Sequence, residues 1–195
     1  KATGGTFTLS PTTASVSGTF TNGSATVTGV REILGTLHVG DALFGNSTIT
    51  SIGPETLTLS SPATFNSRPF NSFPVTETTA PIPFNASAAE AKGALEALPG
   101  VGSGSIAVAG GPGDATGSTP YAVTFSGGIF KGNDVATLGA SGDSLTGGEK
   151  TVAVTTSAQG GGPEICRASA GDACKAGRPG KAAAEFEWPG SPGSY

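Results

Sequence analysis

The stretch NASAAEAKGALEALPGVGSGSIAVAGGPGDATGSTPYAVTF, residues 85–125, decides the fold that we predict for this chain. It begins with Ser87-Ala88-Ala89-Glu90, the S-x-x-E pattern of a capping box, in which each polar side chain bonds the backbone amide of the other residue. Apolar residues then recur at the spacing of one helical face: Ala91, Leu95 and Leu98. Pro99-Gly100 ends the helix. The stretch therefore predicts one short amphipathic helix near residues 87–98.

Five runs of the chain alternate apolar with small or polar residues, which is the period of a half-buried strand. They are Thr6–Leu9, Pro81–Phe84, Ser105–Ala109, Tyr121–Phe125 and Thr151–Thr155. The two prolines of the second run cannot donate to a ladder, which favours an edge strand there. The order strand, strand, helix, strand, strand, strand predicts an α+β outer module with one helix over a mainly antiparallel sheet.

We expect the apolar side chains of these elements to form the core of the outer module. They are Phe7, Leu9, Ile82, Phe84, Leu95, Leu98, Ile106, Val108, Tyr121, Val123, Phe125, Val152 and Val154. On the helix, Ser87 and Glu90 are the predicted cap residues.

Residues 11–76 interrupt the outer module and carry the turn and strand signals of a separate domain. Asn22-Gly23, between Thr-containing runs, predicts a hairpin with a type I′ turn. Two more strands are predicted at Ser47–Ile52 and Thr56–Ser60, and Leu37–Phe44 is a short apolar-polar segment around Gly40-Asp41, which makes four or five short strands. This number of short strands predicts a small inserted β barrel or sandwich. The fold class is therefore mainly β, with antiparallel sheet or sandwich modules and one helix.

The C-terminal part, 159–195, is rich in Gly, Ala and Pro and predicts a linker, a disulfide hairpin and an extended tail. Cys166 and Cys174 flank turn residues, so a hairpin can bring their sulfurs together. This spacing favours a disulfide and hence an oxidising location, extracellular or at the cell surface. Two free thiols in a loop are the alternative. The predicted domains are 1–10 plus 77–158, then 11–76, then 159–195.

Several runs of the outer module match a known repeat as a group. They include Gly5–Leu9, Thr79–Ala88, Ala94–Gly102, Val108–Gly113, Tyr121–Phe125, Leu145–Gly148 and Val152–Thr156. On these runs the module resembles the repeat of secreted actinobacterial proteins associated with NHL propellers and of phage virion proteins. In that family the first strand turns straight into the second, whereas residues 11–76 interrupt the turn here.

Two other parts of the chain carry resemblances. The insert is similar to a common phage and surface-protein β module through four runs: Asn22–Thr28, Val39–Asp41, Ile49–Ile52 and Thr56–Ser60. Glu164–Cys166, Cys174–Gly177 and Glu185–Pro189 resemble the segment that leads into an NHL-type propeller. Since the sequence ends at Tyr195, where the first blade would begin, we expect no propeller function from it.

Composition and motifs argue against most chemical functions. The net charge is −4 and the ten basic residues are scattered, so we expect no nucleic-acid partner. No apolar run approaches the ~18 residues of a membrane span. The glycine-rich run Gly100–Gly104 follows a helix, whereas a phosphate cradle precedes one, so we expect no cofactor.

The sequence also predicts no catalytic residues and no metal site. His38 is the only histidine, and no G-x-S-x-G elbow is present. Together with two cysteines it falls short of the four ligands of a structural zinc site. The glycine-loop aspartates lack the spacing of a calcium loop: Asp114, Asp134, Asp143 and Asp172. We therefore expect a protein that is not an enzyme.

What remains is a non-catalytic extracellular structural or assembly subunit, of a surface layer, a filament or a stalk. We expect it to form a homopolymer through strand edges, such as those of Lys1–Leu9, or through its extended terminal segment. A phage virion structural protein, a capsid decoration or tail protein, is an open alternative. A ligand-binding adhesion module ranks lower, and we expect no small-molecule ligand, because Trp188 and Tyr195 lie in the tail.

Overall fold

A computed structural model gives the architecture of the chain as two compact units. It describes residues 2–44, 47–67, 71–112, 119–148, 150 and 152–158, and the backbone of 182–187. The first unit comprises Lys1–Leu9, Thr79–Ala97 and Val101–Tyr195, and the second comprises Ser10–Thr78 and Leu98–Gly100. The predicted insert covers 11–76, so the second unit differs from it chiefly by the added segment Leu98–Gly100.

Strands dominate both units. In chain order the elements are β1 (Ala2–Ser10), β2 (Thr12–Thr19), β3 (Thr26–Leu34), β4 (Ala42–Phe44), β5 (Ser47–Ile52), β6 (Thr56–Leu59), β7 (Ser72–Thr76), β8 (Ile82–Pro83), α1 (Ala88–Glu96), β9 (Ile106–Gly110), β10 (Tyr121–Phe125), β11 (Gly139–Ser141), β12 (Leu145–Gly147), β13 (Ala153–Ala158) and β14 (Ala182–Glu187). A single 3₁₀ turn follows β10 at Gly128–Phe130. Within the described residues α1 is the one α-helix, so the prediction of a mainly β fold with one short helix is confirmed.

The second unit is a closed antiparallel barrel with the strand order β2-β3-β6-β5-β4-β7. The barrel closes because β7 pairs with both β2 and β4, through Thr12↔Thr76 and Ala42↔Thr76. Alternation along the strands sends one apolar set inwards. That core contains Ala14, Val16, Phe20, Val27, Leu37, Leu43, Ile49, Leu57, Leu59, Ala63 and Val75. Of the predicted alternatives, barrel or sandwich, the structure has the barrel.

Aromatic rings fill one part of this barrel. Phe20 is 1% exposed and contacts three other rings, those of Phe44, Phe65 and Phe73, at centroid distances of 5.4, 5.7 and 4.5 Å. The three contacts are edge-to-face, stacked and tilted, respectively, and ring contacts at these distances add to the stabilisation from burial. Phe73 belongs to β7, and Phe65 lies in the connection between β6 and β7.

The turn at Asn22-Gly23 differs from the predicted type I′ turn. A type I′ turn needs positive φ at both central residues. Gly23 has φ of 81°, but no described residue other than glycine has positive φ. The Ser24 amide donates to the Thr21 carbonyl at 2.9 Å, so this is a four-residue turn with positive φ only at its third position, as in type II.

The described residues of the first unit form two four-stranded sheets. In one, the order is β11-β1-β12, and β8 also pairs with β1 through Phe7↔Ile82. The prediction of a bare edge along Lys1–Leu9 is therefore wrong for the described residues, since β1 lies between β11 and β12 and its residues Thr6 and Phe7 also pair with β8. The other sheet has the order β13-β14-β10-β9.

Strand β14 changes the prediction for the C-terminal residues. Ala182–Glu187 were expected in an extended tail, but they pair with β10 from Tyr121↔Phe186 to Phe125↔Ala182. They also pair with β13, so this strand lies inside the sheet. The predicted Cys166–Cys174 disulfide lies outside the described residues.

Helix α1 is held at its start by local hydrogen bonds. The Glu90 amide donates to Ser87 Oγ at 3.3 Å, and the Ser87 amide donates to Glu90 Oε2 at 2.7 Å, so both bonds of the capping box are present. These bonds lower the pKa of the Glu90 carboxyl. The buried face of the helix carries Ala91 and Leu95, and the helix packs against β9 and β8.

The predicted core residues divide into two groups by burial. Buried are Phe7, Leu9, Ile82, Leu95, Leu98, Ile106, Tyr121, Val123 and Phe125. Only half-buried are Phe84, Val108, Val152 and Val154. Val108 and Val154 lie in β9 and β13, the two outer strands of their sheet, where fewer neighbours cover a side chain. Leu98 belongs to the second unit, beyond the end of α1.

Replacing Ser87 with alanine removes the Oγ acceptor of the cap. We expect Ser87→Ala to lower the free energy of unfolding by about 1 kcal/mol, because the Glu90 amide then has no side-chain acceptor. Urea denaturation followed by far-UV circular dichroism measures it. Ser103→Ala is the control, since Ser103 is exposed and forms no hydrogen bond within the described residues. Equal losses in both variants would contradict a capping role.

The lowered pKa of Glu90 gives the cap a pH dependence. A carboxyl whose pKa is lower in the folded than in the unfolded chain adds stability above its unfolded pKa, and that stability is lost as the pH falls through the folded pKa. We therefore expect the difference in the free energy of unfolding between the native protein and Glu90→Gln to be largest at neutral pH. It should vanish under strongly acid conditions. Urea midpoints measured across this range test it, and a difference independent of pH would refute it.

Candidate functional site

Two carboxylates converge at one end of the barrel. Asp41 immediately precedes β4 and Glu77 immediately follows β7. Because Ala42 pairs with Thr76 in antiparallel register, the residue before Ala42 and the residue after Thr76 lie side by side. The closure of the barrel thus places Asp41 beside Glu77. With His38, which contacts both, they form what we call the polar cluster.

A short turn brings His38 to these carboxylates. The Asp41 amide donates to the His38 carbonyl at 3.2 Å, and the His38 amide donates to Asp41 Oδ2 at 2.7 Å. The aspartate thereby caps its own turn, a frequent role for this residue type. The imidazole Nδ1 lies 3.1 Å from Glu77 Oε1 and 3.7 Å from Asp41 Oδ2.

Glu77 has a second partner within the same unit. Both of its carboxylate oxygens accept from the Gly100 amide, each at 3.0 Å. A side chain at position 100 would not fit, since a Cβ there would lie 2.6 Å from Thr13 Cβ and 2.9 Å from Glu77 Oε1. Glycine at this position lets the backbone approach the carboxylate closely.

Burial raises the free-energy cost of the charges in the polar cluster. Asp41 is 3% exposed and Glu77 is 5% exposed, whereas the His38 side chain is 34% exposed. Loss of water raises the pKa of the Asp41 carboxyl, and the neighbouring Glu77 charge adds to this, against the opposing effect of the His38 amide. Across the described residues, neither carboxylate has a lysine or arginine within ion-pair distance.

The donor atoms of this cluster are close enough to share one ligand. One nitrogen or oxygen from each of His38, Asp41 and Glu77 lies within 4.8 Å of the others. The sequence predicts no metal ligand here, because His38 and Glu77 are 39 residues apart. Only the turn from His38 to Asp41 could be recognised from the local sequence of this cluster. Placing Glu77 required knowing the register between β4 and β7.

Other residues singled out by the sequence take structural roles. Asp143 lies beside Ser141, whose Oγ donates to Asp143 Oδ2 at 2.7 Å in an exposed loop. In the glycine-rich run after the helix, the Gly104 amide donates to Glu96 Oε1 at 2.7 Å. Asp114 and Asp172, like the two cysteines and Trp188, lie outside the described residues.

The first unit has a shallow cavity between β1 and the loop around β11. It is lined by Thr6, Phe7, Thr8, Pro81, Ser141 and Ser144 and encloses about 40 Å³. That space holds a few water molecules at most. It is far smaller than the cavities that bury drug-sized ligands.

The chain has neither a membrane-spanning helix among its described residues nor a match among known proteins. Among the described residues, no helix combines the length and the apolar character that crossing a bilayer requires. Comparison with protein-family models, curated proteins and solved structures finds no match to this chain. The candidate site therefore depends on its own geometry.

Gly100 offers a direct test of the packing at the polar cluster. We expect Gly100→Ala to lower the free energy of unfolding by about 1–3 kcal/mol, because the added methyl group overlaps Thr13 and Glu77. Gly93→Ala is the matched control. A Cβ at Gly93 meets nothing within 4 Å, and alanine favours a helix interior by about 0.5–1 kcal/mol. The urea midpoint should fall for Gly100→Ala and rise for Gly93→Ala. A shift in the same direction for both variants would contradict the close approach of the Gly100 backbone to Glu77.

Proposed function

We propose that this chain is a non-catalytic structural subunit, extracellular or at a cell surface, that associates with copies of itself through the outer edge of β9. The observation that carries the proposal is the position of β9 at the end of its sheet. Within the described residues its one strand neighbour is β10, paired from Tyr121↔Gly110 to Phe125↔Ile106.

The composition of β9 suits pairing with another strand. An outer strand leaves backbone N–H and C=O groups unpaired along its free side, and proteins usually protect such sides with charges, prolines or bulges. The sequence Ile106-Ala107-Val108-Ala109-Gly110 contains no charged residue and no proline. Its pairing with β10 has no register shift. Nothing in the strand itself therefore opposes the addition of a further strand.

The other outer strand of this sheet, β13, has a register shift between Thr156 and Ala158 in its pairing with β14, and such an irregularity disfavours the addition of a further strand. Three further parts of the fold also offer less for such pairing. The barrel of the second unit is closed, and closure removes free strand edges. Strand β1 has partners along both halves. Residues 182–187, part of the segment first expected to reach a neighbouring subunit, already occupy a place between β10 and β13. This comparison favours β9 over the edges that the sequence pattern pointed to.

A non-catalytic role is supported by how the chain uses its single histidine. The His38 imidazole faces two carboxylates that also fix the surrounding backbone through the His38 and Gly100 amides. Such bonds hold a turn and a loop in place, which is a structural use of polar groups. The low charge and the Thr-rich strands fit a subunit whose surfaces pack against protein rather than bind substrate.

Charges introduced on β9 test this proposal. Ala107 and Ala109 are exposed, so lysine at both positions adds charge to the edge without filling the core. We expect the native protein to form larger species as its concentration rises, in sedimentation velocity and electron microscopy. The double variant Ala107→Lys, Ala109→Lys should remain monomeric at concentrations at least tenfold higher.

A single lysine elsewhere controls for charge itself. Thr58 is exposed on β6, which is paired on both sides, by β3 and β5. Thr58→Lys should leave the association of the native protein unchanged. A native protein that stays strictly monomeric at high concentration would refute self-association. Association that survives the β9 lysines would refute the assigned edge.

A further inference from the structure

We propose that the polar cluster of the barrel, His38, Asp41 and Glu77, is a binding site for one divalent transition-metal ion of the zinc type. The ion would be held by one atom from each side chain: His38 Nδ1, Asp41 Oδ2 and Glu77 Oε1. This site is separate from the strand edge of β9, and it would give the barrel a bound ion rather than a catalytic function.

The spacing of the donors fits such an ion. Nδ1 lies 3.1 Å from Glu77 Oε1 and 3.7 Å from Asp41 Oδ2. Bonds of about 2.0–2.2 Å in a tetrahedral arrangement place neighbouring ligand atoms about 3.3–3.6 Å apart. These two distances are close to that spacing, and the donor atoms of all three side chains lie within 4.8 Å of one another. A side-chain adjustment of about an ångström would bring the set to a bound geometry.

The charge of the cluster also calls for a cation. Two carboxylates are buried at the end of the barrel, and the imidazole is the one basic side chain that contacts them in the described part of the chain. Burying carboxylates without an opposing charge is costly. A divalent ion would balance both charges while leaving the imidazole neutral, which is the form of histidine that binds metals.

Thr13 supplies an independent observation. Its side chain is fully buried, and its Oγ1 has no hydrogen-bond partner in the described structure. This oxygen and Glu77 Oε1 lie 3.0 and 2.9 Å from a single point, the position that a Cβ of Gly100 would occupy. The unpartnered hydroxyl therefore borders the cluster. A water molecule on the fourth position of the ion would give Thr13 the partner that it lacks.

The donor set selects the class of ion. One imidazole nitrogen with two carboxylate oxygens suits Zn²⁺ and its neighbours in the transition series better than Mg²⁺ or Ca²⁺, which prefer oxygen donors alone. On binding, Nδ1 gives up the hydrogen bond to Glu77 and presents its lone pair to the ion. The ring then carries its proton on Nε2, so a change of tautomer accompanies occupancy.

The single histidine makes this site directly observable. The full chain, without a purification tag and freed of metal with a chelator, is titrated with zinc chloride while long-range ¹H–¹⁵N spectra record the imidazole nitrogens. We expect one ion per chain and a large change in the Nδ1 resonance of His38. The titration is repeated with Cys166→Ser, Cys174→Ser, which excludes thiolate ligands and should leave the His38 response unchanged.

Variants of the carboxylates give the second measurement. We expect Asp41→Asn and Glu77→Gln to weaken zinc binding at least tenfold in isothermal titration calorimetry. Asp143→Asn, at an exposed aspartate of the first unit, should leave the affinity unchanged. If zinc leaves the His38 nitrogens of the native chain unaltered, the proposal is refuted even where a variant fails to fold. Binding that persists fully in both carboxylate variants would also overturn it.

Discussion

The burial of Asp41 and Glu77 is the constraint around which the barrel end is built. Each carboxylate removed from water costs several kcal/mol unless charges or hydrogen bonds compensate. The chain provides compensation with the His38 amide for Asp41 and with the Gly100 amide and the His38 ring for Glu77. Three separate segments, the turn before β4, the end of β7 and the segment Leu98–Gly100, are thereby held in one arrangement.

Local patterns in the sequence account for much of the architecture. The cap at Ser87 and Glu90 could be predicted because its two bonds join residues three apart. Strand β10 could be predicted because strict alternation over Tyr121–Phe125 leaves its three apolar side chains on one buried face. In both cases the decisive interactions are set by the period of one element. The mainly β fold with one helix follows from these periods.

The remaining features depend on pairing between distant segments. The polar cluster needs the register Ala42↔Thr76, which no pattern within either strand specifies. Strand β14, with the sequence AAAEFE, lacks a clear alternation, and its place between β10 and β13 is fixed by those two partners. At Asn22-Gly23 the dipeptide permits more than one turn, and β2 and β3 there are joined by a longer connection than a two-residue hairpin.

The described strands of the first unit form open sheets with outer strands, whereas those of the second unit form a closed barrel. A sheet with a free outer strand can accept a strand from another molecule, whereas a closed barrel has its backbone groups paired within itself. Closure of the barrel fixes the positions of its buried polar groups, because all of its strands restrain one another. The polar cluster joins three segments of the barrel unit, and β9 belongs to the other unit. The proposed ion binding at the cluster and the proposed association through β9 therefore depend on different interactions, and a variant that abolishes one of them should leave the other intact.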